Sequence, residues 1–169
     1  MRINKRFLLK SAVYALLYII CLVLETNIFA RLRVFGCQPN LIVILVVACA
    51  VHESERYSAV FGLIAGILTD SAAGAPYFFS GIIYMLTGYV IGYLTRTSFT
   101  KSLASMAMLT LPAVALREIV NLFYLIAVWS EFEILPALYK YILPETVYTV
   151  VFAVPIYFGV KYTAGRINN

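Results

Sequence analysis

Residues 12–24 read AVYALLYIICLVL and residues 41–51 read LIVILVVACAV. Neither run alternates. A strand of a membrane barrel places apolar and polar residues in turn over segments of about ten residues, and these runs never break to do so. They are the continuous apolar segments expected of helices whose surroundings are themselves apolar, where every backbone group must be satisfied internally. The rest of the chain agrees. Its 169 residues are 63% hydrophobic and 12% charged, with mean hydropathy +0.91. Soluble domains are about 45–50% apolar and about 25% charged, so these few charges cannot cover the apolar surface in water. The expectation is an all-α membrane protein of six transmembrane helices, one polytopic domain over residues 1–169.

About 20 apolar residues cross a bilayer. On that measure the spans run over Lys10–Arg31, Pro39–Val51, Tyr57–Gly74, Tyr77–Leu94, Ser102–Trp129 and Pro144–Tyr162. The second is short, the fifth long enough to tilt or to kink at Pro112, and the sixth contains Pro155. Between the fifth and sixth, Glu131–Leu143 is too short and too polar to cross. It is expected to lie in the interface, where Trp129, Tyr139 and Tyr141 are comfortable. With both termini in the cytoplasm, the inner segments carry Arg2, Lys5, Arg6, Lys10, Arg56, Arg96, Lys101, Lys161 and Arg166, and the outer ones only Arg31, Arg33 and Lys140. Nine cations against three favour that orientation. The N-terminal basic cluster therefore sets orientation and does not bind nucleic acid, and with no small-x-small cleavage site before Glu25 the first helix is expected to stay uncleaved. Cys21, Cys37 and Cys49 show no paired spacing, which predicts neither disulfides nor a metal site.

Catalytic arrangements lack partners. His52-Glu53 runs on into Ser54-Glu55-Arg56, so no HExxH motif forms around the single histidine. Asp70 is the only aspartate, no Gly-x-Ser-x-Gly occurs, and no glycine-rich phosphate loop is present. The chain is expected to be no enzyme and to carry no cofactor.

The glycines point to packing. Gly62 and Gly66 form a GxxxG step that continues to Asp70 and Gly74; Gly88 and Gly92 repeat it, with Gly81 one heptad earlier. Small residues at this spacing let helix backbones approach closely. The spacing leaves open whether the facing helix belongs to this chain or to another, a second copy included. Charges inside spans are the other signal, since each costs about 2.5–3.5 kcal/mol at a helix centre. Glu25, Asp70, Arg117 and Glu118 should thus face protein or a polar cavity. At 1.5 Å per residue, Glu25, Asp70 and Arg117 lie about 22, 20 and 22 Å from their helix starts. A common polar layer is expected, with Arg117 against Asp70, Glu25 or both. Glu118, about 100° further round, should face elsewhere.

From Pro39-Asn40-Leu41 through Gly62-x-x-x-Gly66-x-x-x-Asp70-x-x-x-Gly74 to Gly92, the chain resembles MreD, the bacterial rod shape-determining membrane protein family. The proline-polar-leucine opening of the second helix and the glycine-spaced third helix ending in aspartate carry the likeness, and chain length agrees. Where the family commonly has a glycine after the aspartate, this chain has Phe78, with Gly81 three residues later. The resemblance implies a non-catalytic scaffold of the cell-elongation machinery in the bacterial cytoplasmic membrane. It would support lateral peptidoglycan synthesis and cell shape through binding MreC, and through it MreB and the RodA glycosyltransferase with its transpeptidase. The chain also looks like the six-helix substrate-binding subunits of energy-coupling-factor transporters, which implies the alternative of a vitamin-type small-molecule binder. Those subunits usually carry an Ala-x-x-x-Ala docking motif on the first helix. Here Ser11 and Ala15 are followed by bulky Tyr18 and Leu22, which favours the scaffold.

Overall fold

A computed structural model describes residues 5–29, 31, 39–74, 79–128 and 143–168. Among the described residues six helices follow one another: α1 (Lys5–Val23), α2 (Leu41–His52), α3 (Glu55–Ala72), α4 (Phe79–Thr97), α5 (Leu103–Val128) and α6 (Leu143–Asn168). A six-residue π-helical stretch, Leu24–Phe29, extends α1. Among the described residues there is no strand. Phe78, Cys37, Arg33, Lys140 and the expected interfacial stretch at 131–142 lie outside them. Pro112 and Pro155 fall inside α5 and α6.

The architecture turns on α2. This helix has no polar face, and a helix apolar all round must be enclosed on every side. Every residue from Leu41 to Val51 is at most 2% exposed, and α2 packs against each of the other five helices. Its 12 residues cover only about 18 Å at 1.5 Å per residue. By length and composition, two helical stretches among the described residues suffice to cross a membrane, Leu8–Phe29 and Leu103–Phe123.

The remaining helices bury apolar and some polar residues together and leave large apolar ones outside. Asn40, Ser58, Asp70, Thr110, Glu118 and Thr149 are buried, whereas Leu16, Val60, Met108, Ile119, Phe123 and Val151 point outward. Isolated exposed apolar residues are ordinary, but extended apolar patches mark contact with a membrane or a partner. Here α1, α3, α4, α5 and α6 each present such residues.

Helix ends are closed locally. Asn40 caps α2, its side chain accepting from Val43 N at 3.0 Å, and Ser54 caps α3, accepting from Tyr57 N at 3.4 Å. Such caps satisfy N–H groups that have no intrahelical acceptor.

Candidate functional site

The α3–α4 pair is the most extensive helix contact among the described residues, and its seam is made of glycine. A methyl group placed on Gly66 would lie 2.5 Å from Gly81 Cα, and one on Gly92 would lie 2.7 Å from Glu55 Cα. Gly62 abuts the backbone of Tyr84, and Gly88 that of Ser58. Gly81 completes the seam, with the Ile67 side chain 3.0 Å from where its Cβ would stand. These five glycines therefore face one another's helices within a single chain. Gly74 does not join them. It sits beyond the end of α3 at φ +65°, with open space around it. Its role is the left-handed turn out of the helix, which glycine adopts without steric cost.

Charge is gathered at the two ends of the bundle. At one end Lys10 Nζ donates to Glu53 Oε2 at 2.6 Å, and Arg96 pairs with Glu55 at 2.7 Å. Lys101 Nζ donates to the His52 carbonyl at 3.1 Å, and the Tyr157 hydroxyl donates to the Lys101 carbonyl at 3.2 Å. These contacts tie α1 to the end of α2, α3 to α4, and, through Lys101, α2 and α6 to the residues that precede α5. His52 closes the last turn of α2, Nδ1 lying 3.0 Å from the Ala48 carbonyl.

The other end holds Arg117. Its Nη1 donates to Glu118 Oε1 at 2.5 Å and to Glu145 Oε1 at 3.3 Å. Tyr84 and Glu25 also lie within its electrostatic reach. The Glu25 carboxylate turns toward the Leu41 and Ile42 N–H groups that open α2. Asn40 at the same helix start donates its N–H to Thr149 Oγ1 of α6 at 3.1 Å. A carboxylate at a helix N-terminus meets the positive end of the helix dipole as well as unfilled donors.

The sequence-predicted polar layer is thus regrouped. Glu25, Arg117 and Glu118 come together, but Asp70 is elsewhere: its Oδ2 accepts from Ser80 N at 3.0 Å and so closes the start of α4. Of the two carboxylates expected against Arg117, Glu25 lies near it and Asp70 does not, because equal depth along two helices does not fix which way each residue points. The expectation that Glu118 faces away from Arg117 also fails. A guanidinium on a long flexible stem can curl across its own helix surface and cover the 100° to the next residue. Sequence reasoning missed Glu145. It stands in the first turn of α6, where an acid reads as an ordinary helix start.

The Pro39-Asn40-Leu41 motif sits where these groups converge. Asn40 is 2% exposed and uses backbone N–H and side-chain oxygen on different helices. The cluster's chemistry is that of ion pairing and helix capping. Among the described residues no three metal-ligating side chains come together.

One family model, described as rod shape-determining protein MreD, matches residues 5–162. No curated protein and no solved structure matches the chain.

Proposed function

The chain belongs to the rod shape-determining MreD family, a family of membrane proteins, and from that membership we propose that it is a non-catalytic scaffold of the bacterial cell-elongation machinery. In this reading it crosses the cytoplasmic membrane six times with both termini inside. It binds MreC, and through MreC it serves the MreB filament and the RodA–transpeptidase synthase in lateral peptidoglycan synthesis.

The observation that carries the reading is the family match across nearly the whole chain. The packing is consistent with it. The glycine seam, the enclosed α2 and the Arg117 cluster spend their polar and close-contact chemistry on one another, as a rigid platform requires. A platform of this kind contributes shape and surface; its partners supply the chemistry.

Affinity capture of the tagged protein from detergent-solubilised membranes tests the proposal. MreC should co-purify in stable proportion. Capture of a transporter ATPase pair in its place would establish the alternative, a small-molecule binding subunit of an energy-coupling-factor transporter.

A further inference from the structure

Between α1 and α3 runs a groove of about 620 Å³, within the range of about 300–1,000 Å³ typical of ligand sites. Its two ends differ. Ser11, Ser54, Arg56 and Tyr57 line one end, and Ala15, Val60, Ile64 and Leu68 line the rest. The Tyr57 hydroxyl donates to Ser11 Oγ at 3.4 Å, so the polar end is itself tied together across the two helices. Arg56 is different from the cations around it. Lys10 and Arg96 hold carboxylates, whereas Arg56 is exposed and forms no ion pair or hydrogen bond among the described residues.

The groove's length decides what fits. Arg56 to Leu68 is twelve residues of α3, about 18 Å at 1.5 Å per residue. The hydrocarbon core of a bilayer is about 30 Å thick, so one leaflet offers about 15 Å. A crossing helix from another protein would need a wall nearly twice as long as this one. An acyl chain of one leaflet needs a wall of this length, and an unpaired guanidinium at its polar end calls for an anion.

We propose that the α1–α3 groove is a binding site for an anionic glycerophospholipid, its phosphate on Arg56 and one acyl chain along Val60, Ile64 and Leu68. The Ser11 and Ser54 hydroxyls supply donors for the headgroup and glycerol oxygens, with Tyr57 holding Ser11 in place. The bound lipid fills the space between α1 and α3 and joins the chain to the anionic leaflet on the side of the Lys10–Glu53 pair.

The test uses the full-length protein in nanodiscs of equal parts phosphatidylglycerol and phosphatidylethanolamine, with native mass spectrometry of the released protein. Retained phosphatidylglycerol should exceed phosphatidylethanolamine by about fivefold, the discrimination one basic side chain provides at an anionic membrane surface. Arg56→Gln should bring the ratio to unity, Arg56→Lys should keep most of it, and Ile64→Trp should empty the groove of both lipids. Each variant is compared only if it elutes with the wild type on size exclusion. A photoreactive amino acid at Val60, activated in native membranes, should yield a phospholipid adduct. Equal retention of the two lipids by the wild type, a preference surviving in Arg56→Gln, or a Val60 adduct to another protein would each overturn the proposal.

Discussion

Arg117 shows how much one partly buried side chain can be asked to do. It answers two carboxylates at once, Glu118 on its own helix and Glu145 on α6. Replacing it by alanine leaves both without their cation. In soluble proteins, breaking a buried pair in this way costs about 3–5 kcal/mol, and snorkelling and water defects lessen that cost in a bilayer. Arg117→Ala should therefore lower the melting temperature of the purified protein in detergent, and adding Glu145→Gln should recover part of the loss. Adding Asp70→Asn to Arg117→Ala should recover nothing, since Asp70 is engaged with Ser80. Recovery through Asp70 would contradict the arrangement. That Glu25, Arg117 and Glu118 need partners was legible in the sequence, because a charge within an apolar stretch is so costly to leave uncompensated. Their pairing was not, because depth is one coordinate and rotation about the helix axis is another. That Glu145 completes the cluster depends on where α6 starts relative to α5, and the connecting residues carry no periodic signal for it.

At the scale of helices, periodicity carried the most information. A four-residue glycine step on two consecutive spans implied close backbone approach, and α3 and α4 meet along that step. Whether the partner was internal could not be read, since the spacing is the same for either. Gly66→Leu puts a branched side chain where another backbone already stands. Detergent-solubilised protein should then lose most of its monodisperse peak on size exclusion. Gly74→Ala should cost only about 1–2 kcal/mol, the strain of a left-handed conformation, because its surroundings are open. If Gly74→Ala proved the more damaging of the two, the division of the glycines into seam and turn would be wrong. The shortness of α2 was visible in the sequence as an anomaly. Its cause, enclosure by five neighbours, belongs to the tertiary structure, which a local pattern cannot express.

For the whole molecule, the balance of lysine and arginine predicts an orientation that labelling can check. In a background with Cys21, Cys37 and Cys49 replaced by alanine, Ser98→Cys should react with an impermeant maleimide only after cells are opened, and Ala73→Cys should react in intact cells. The reverse pattern would invert the topology. The enclosure of α2 also has a bearing on biosynthesis. A chain leaves the ribosome from its N-terminus, so α2 emerges second, while four of its five neighbours, α3 to α6, are still to be made. Until they arrive it is a stretch too short to span on its own, with no finished place to rest. The insertion machinery must hold it, or α1 must keep it company, through most of synthesis. Chains truncated after Thr97 should accordingly be cleared quickly in pulse-chase labelling, whereas the full-length chain persists. The helix that comes out second is the last to find its neighbours, and quality control has that whole interval in which to judge the protein.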